Sequence, residues 1–171
     1  MNFKRPIVDI LLLRQPSAML SALLILAAAP AHSCDLGDIT SARAVHDALA
    51  HRAVQLIAAA LTLTNDNGAS QMSRIVDDNA QFSLGAGDVG RPLGAGVAGA
   101  KALALAMNAD GFRFFGWDYM DSPADGCGEQ TVTVEFTNSS DHLVSQVQFN
   151  FDQGRVREAK GWQRTFQSGG L

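Results

Sequence analysis

Asp118, Tyr119 and Lys160 are the residues of this 171-residue chain whose types and neighbours best suit proton transfer. Asp118 lies in the aromatic stretch Phe112 to Met120, FRFFGWDYM. Read as a strand, that stretch puts Asp118 on one face with Phe112, Phe114 and Met120. If this face lines an apolar interior, desolvation disfavours the carboxylate and makes Asp118 a stronger general base. The opposite face (Phe115, Trp117, Tyr119) is equally apolar, so either set could point inward. Near the C-terminus, Glu158 and Lys160 share strand parity with Val156 and Trp162 and could enter the same cavity as an ion pair or proton donor. A solvated pair at a sheet edge is the other reading, because charges are seldom buried. Phe114, Trp117, Ser145, Glu158 and Trp162 are the candidate ligand-binding residues. Rings of this kind also serve as plain core.

Other chemistries find less support. The chain has four histidines. His46 and His51 are five apart and point to different faces of a helix. His142 stands beside a turn, so no metal-ligand spacing emerges. No Gly-x-Ser-x-Gly elbow is present, and Cys127 in Asp125-Gly126-Cys127-Gly128 has no histidine near it in sequence. GAGVAG from Gly94 to Gly99 spells Gly-x-Gly-x-x-Gly, and Asp118 lies at the distance of a ribose-binding acid. A dinucleotide site also needs a parallel strand feeding the first glycine. The preceding Asp88-Val89-Gly90-Arg91-Pro92-Leu93 reads as a glycine-rich loop, not a strand. Gly96 and Gly99 are better explained by close packing of a helix on a sheet. No cofactor and no metal are expected.

The ends and the charge bound where these groups work. Lys4, Arg5 and Arg14 precede the apolar run Met19 to Leu26 and a series of alanines, and Ala29-Pro30-Ala31 offers small residues for cleavage. That order is a secretory signal over residues 1–31. Its apolar core is short for a membrane span. Residues 32–171 then form a single domain, exported to the periplasm or secreted. With Lys4, Arg5, Arg14 and Asp9 removed, ten basic and sixteen acidic residues remain, a net charge of −6 with no basic cluster, so nucleic acid and anionic membrane are poor partners. Cys34 and Cys127 are the two cysteines. An oxidising compartment permits a disulfide between them, with a long loop and a stabilising effect of roughly 3–5 kcal/mol. Ala31-His32-Ser33-Cys34 also loosely matches a lipoprotein processing site, which would anchor the chain to a membrane. Two free thiols are the third possibility.

The elements that must position these groups come in a definite order. Thr40 caps a long helix over residues 41–63, with Val45, Leu49, Ala53, Ile57 and Leu61 four apart and Val54 and Ala58 beside them. His46, Asp47 and Arg43 lie away from that stripe. A helical turn follows at Gln71 to Ile75, then a strand from Val76 to Leu84 that opens with acidic residues. A second helix spans Val97 to Met107. Thereafter the apolar period becomes two: Glu129 to Phe136, Leu143 to Phe151 and Val156 to Arg164, joined by Asn138-Ser139-Ser140-Asp141 and Asp152-Gln153-Gly154-Arg155. Helices first and paired strands last predict an α+β fold with an antiparallel meander.

This order resembles the nuclear transport factor 2-like superfamily and its SnoaL-like members. The resemblance rests on the helix from Ser41 to Leu63, Val76-Asp77-Asp78-Asn79-Ala80-Gln81-Phe82, Gly96 to Met107, and the stretch from Val147 to Val156. It implies a cone: a curved antiparallel sheet packed against a long N-terminal helix and shorter helices, often enclosing a small-molecule pocket. The functions it implies range from isomerases, dehydratases and cyclases to binding proteins without catalysis. The ketosteroid isomerase pattern of a first-strand aspartate and a first-helix tyrosine is not matched. Ser83 and Leu84 fill the strand positions and the helix has no tyrosine. The first expectation is therefore an exported binding or accessory protein for a small hydrophobic ligand. The second is an acid–base enzyme with Asp118 as base and Tyr119 or Lys160 assisting. The third is a structural homodimer joined through an exposed sheet face.

Overall fold

The computed structural model describes residues 34–62, 66–86, 89–115 and 126–166, without the side chains of residues 66, 67 and 89. The expected leader over residues 1–31 lies outside them, as do Trp117, Asp118, Tyr119 and Met120. The described residues form helices α1 (Ala42–Thr62), α2 (Asp66–Ile75) and α3 (Gly96–Met107) and strands β1 (Val76–Ala86), β2 (Val89–Ala95), β3 (Gly111–Phe114), β4 (Gln130–Asn138), β5 (Leu143–Asp152) and β6 (Arg155–Thr165). The order of helix, helix, strand, helix and sheet that the resemblance implied is present.

The strands form one sheet in the order β2-β1-β6-β5-β4-β3. Its pairs are antiparallel except β1 with β6, which run parallel. The late strands β3 to β6 form the antiparallel meander expected, and the parallel β1–β6 pair makes the whole sheet mixed. A parallel pair needs a long crossover, and the chain between β1 and β6 supplies one through β2, α3 and three further strands. Short turns do join β4 to β5 and β5 to β6, as the spacing predicted. At the second of these, Gln153 and Gly154 both take positive φ (52° and 69°), the geometry that matches a two-residue hairpin to the twist of its strands.

The glycine-rich loop is also different. Residues Val89–Ala95 are a strand, antiparallel to β1 and at the edge of the sheet. Pro92 is tolerated there because an edge strand can spare an N–H, and the register shift opposite Phe82 and Ser83 absorbs the extra residue. This strand is not the parallel strand that a dinucleotide site requires.

α1 packs on the concave face with Val45, Leu49, Ala53, Leu56, Ile57 and Ala60 buried. The stripe drifts from the one predicted. Residues four apart turn about 40° beyond one revolution of a 3.6-residue helix, so Leu61 has rotated out to 36% exposure while Leu56 and Ala60 take its place. The same drift brings His46, two turns before Ala53, into the interior at 1% exposure. It was expected on the polar side. Phe82 from β1, Phe149 and Phe151 from β5, and Leu103 and Met107 from α3 complete the core. Asn108 ends α3 in the left-handed region (φ 44°), with its N–H donating to the Ala104 carbonyl.

Cys34 and Cys127 form a disulfide with Cα atoms 5.8 Å apart. It fastens the segment before α1 to the start of β4 and to the β5–β6 turn, where the Gln153 N–H donates to the Cys127 carbonyl at 3.1 Å. With its sulfur bonded to Cys127, Cys34 has no thiol left to carry a lipid. A structural disulfide belongs to a protein that matures outside the reducing cytosol.

Candidate functional site

The two faces of the sheet sort the candidate residues. On β4 and β5 the alternation is regular, so Val132, Val134 and Phe136 stand opposite Phe149, Val147 and Ser145 on the concave face. Ser145 is accordingly buried at 2% exposure, and its Oγ accepts a hydrogen bond from Gln163 Nε2 at 3.1 Å. Phe112 and Phe114 pair with Phe136 and Val134 on the same face. Phe114 stacks edge-on against His51 of α1 (4.8 Å between centroids) and tilts against Phe112 (5.4 Å).

Glu158, Lys160 and Trp162 do not join them. The parity reading that tied them to Val156 assumed an unbroken strand. β6 carries a bulge: Phe151 faces Val156 and Asn150 faces Glu158, leaving Arg157 without an opposite number. One extra residue reverses the face of everything after it. Val156, Ala159 and Gly161 are buried, while Glu158, Lys160 and Trp162 stand on the convex face with Asn150, Gln148 and Gln146 beside them. Lys160 Nζ pairs with Glu158 Oε1 at 2.8 Å, Asn150 Nδ2 donates to Glu158 Oε2 at 2.9 Å, and Trp162 is 40% exposed. The pair is thus the solvated one of the two readings, although β6 lies between β1 and β5 and not at a sheet edge. Trp117, Asp118 and Tyr119 lie outside the described residues.

What the fold does bring together is an apolar cleft of about 200 Å³ between α1 and β3–β4. Its helical wall is Val54, Ile57, Ala58 and Leu61, and its sheet wall is Gly111, Phe112 and Phe136. Asp110 is the carboxylate on its rim. That carboxylate is already committed, since it accepts from the Ser139 N–H (2.9 Å) and hydroxyl (3.2 Å) and so closes the β4–β5 turn. Phe112 (50% exposed) and Leu61 (36%) are the large side chains that water reaches here. The helical wall was visible in the sequence as part of the α1 stripe, where it reads as core. The drift of that stripe leaves Leu61 in its last turn uncovered. Among the described residues no cluster of His, Cys, Asp and Glu could hold a metal ion.

A further buried charge escaped the sequence reading. Glu135, 4% exposed on the convex face, bridges Arg113 Nε of β3 (2.6 Å) and Arg164 Nη2 of β6 (3.2 Å). Its place between Val134 and Phe136 gave no sign of this, because the two partners come from other strands.

No family model matches the chain, and no curated protein matches it. Among solved structures it is similar to a steroid delta-isomerase from Pseudomonas aeruginosa, with 18% identity over 72% of this chain and 82% of that one and a TM-score of 0.40. It is similar to a protein of unknown function with a cystatin-like fold from Methylobium petroleophilum PM1 (14% identity, 77% and 84% covered, TM-score 0.41). A phenazine biosynthesis-related protein from Pseudomonas aeruginosa is a third (7% identity, 73% and 91% covered, TM-score 0.33). At such values these likenesses carry nothing about the site.

Proposed function

We propose that this is an exported small-molecule-binding or accessory protein with a nuclear transport factor 2-like fold and no catalysis of its own. One observation carries the reading. The apolar cleft of Val54, Ile57, Leu61, Phe112 and Phe136 is open to solvent, whereas the charged candidates Glu158 and Lys160 neutralise each other on the opposite face of the sheet. A cleft of about 200 Å³ is close to the ~150 Å³ of an apolar cavity that holds a single benzene ring. The ligand class it suits is therefore one aromatic ring or a short alkyl chain, held by apolar burial and not by charge. The disulfide supports export, because such bonds persist in the periplasm or outside the cell.

Native mass spectrometry of the protein recovered from its host's exported fraction tests this, paired with NMR titration by toluene and hexanol. A retained apolar molecule, or saturable shifts confined to the cleft and lost in Phe112→Ser, is the expected result. A bare mass together with the absence of any saturable shift would overturn it. Phe112 is half exposed, so its replacement leaves the core intact.

A further inference from the structure

A second cleft, of about 380 Å³, opens beside the middle of α1, at Arg52 and Gln55, and is unlike the first in its chemistry. Arg52, Arg74 and Arg155 line it together with the amides of Gln55, Gln71 and Gln153, and Asp35 is the carboxylate among its walls. Three guanidiniums face one carboxylate, in a chain whose net charge is −4.

The three arginines are held in different ways. Arg52 Nη2 is gripped by both oxygens of Asp35 (2.9 Å each), and its Nη1 donates to the Gly154 carbonyl at 2.7 Å. The disulfide at the neighbouring Cys34 fixes the segment that carries Asp35. Arg155 donates through Nη2 to the carbonyls of Ser73 and Val76, and its Nε is buried without a hydrogen-bond partner. Its nearest carboxylate, Asp77, stands 3.7 Å away and is shared with Arg157, which approaches to 2.9 Å. Arg157 is further paired with Asp152 at 3.0 Å. Arg74, in the last turn of α2, is exposed and makes no ion pair among the described residues. The cleft thus holds one fixed and neutralised cation, one fixed and under-neutralised cation and one exposed, unpaired cation, ringed by amide groups that can donate.

We propose that this cleft is a binding site for a small oxyanion, a carboxylate- or phosphate-bearing molecule, gripped between Arg74 and Arg155. Guanidinium forks match both groups geometrically, and amide N–H donors from the glutamines satisfy the remaining oxygen lone pairs. Asp35 is the internal competitor: its carboxylate occupies the Arg52 fork that an external anion would otherwise share. The site is separate from the apolar cleft and does not depend on the function proposed for it.

The proposal makes a prediction of opposite sign for two substitutions at exposed positions. Inorganic phosphate and succinate, titrated separately at low ionic strength into the full chain, are followed by the side-chain NMR signals of the three arginines and three glutamines. Saturable shifts confined to these residues are expected for at least one probe, and the two titrations tell phosphate from carboxylate chemistry. Arg74→Gln weakens the affinity about five-fold, the worth of one partly solvated ion pair, and Asp35→Asn strengthens it by a similar factor. Shifts that rise linearly without saturation, or an affinity that ignores both substitutions, would overturn the assignment.

Discussion

Gly99 of α3 lies against the backbone of Gly94: a Cβ built on Gly99 would stand 2.5 Å from the Gly94 carbonyl oxygen and 2.8 Å from the Phe82 ring. The second and last glycines of the GAGVAG stretch serve the same end, since a Cβ on Gly96, itself at φ +58°, would meet the Asp78 carbonyl oxygen at 2.8 Å. The motif that suggests a phosphate cradle is a helix seated on its own hairpin. Gly99→Ala should therefore destabilise the protein by about 1–3 kcal/mol through overpacking against backbone that cannot yield. Urea denaturation with an unchanged m-value measures it. A neutral substitution would mean that α3 rides further from the sheet.

The disulfide closes a loop of 93 residues in sequence separation. Replacing Cys34 and Cys127 together by alanine should cost about 3–5 kcal/mol, mostly through the freedom returned to the unfolded chain. Reduction of the wild type should lower the unfolding free energy by a similar amount, seen as a lower unfolding midpoint. A midpoint indifferent to reductant would contradict it.

Glu135 is the buried member of a three-strand ion bridge, while its partners Arg113 and Arg164 are largely exposed. Removing the carboxylate and removing one guanidinium should therefore differ. Glu135→Gln should cost about 1.5–3 kcal/mol, the range for a hydrogen bond to a charged group. Arg113→Gln should cost under about 1 kcal/mol, because Arg164 still compensates the charge. Equal losses from the two would show that the bridge is worth no more than a surface pair.

Glu158 and Lys160, on the convex face, should be dispensable for binding in the apolar cleft. Glu158→Gln and Lys160→Met should each shift stability by less than about 1 kcal/mol and leave the affinity for toluene or hexanol unchanged. A ten-fold loss of affinity in either variant would place the pair at the site after all.

The outcome for these two residues shows where reading from sequence reaches its limit. Their identity, their strand and even their mutual pairing were legible, because an ion pair two residues apart on one face of a strand is a local matter. Their direction was left open between the cavity and a solvated face. It turned on a single unopposed residue, Arg157, and a bulge is defined by the neighbouring strand. Ser145 was placed correctly by the same argument because β4 and β5 have no such break in the register between Val132 and Phe136.

By itself the sequence determined the order of the helices and of strands β1 and β4 to β6, the α+β class, the tight turns at Asn108 and Gln153-Gly154 and the pairing open to two cysteines. Each of these is set by local conformational preference, periodicity or composition. The tertiary structure alone decided that β1 runs parallel to β6, that residues 89–95 are an edge strand, that His46 is buried and Leu61 uncovered, and that three distant arginines share one cleft. All of these depend on contacts between segments far apart in the chain, whose free energy has no counterpart in any short window of residues.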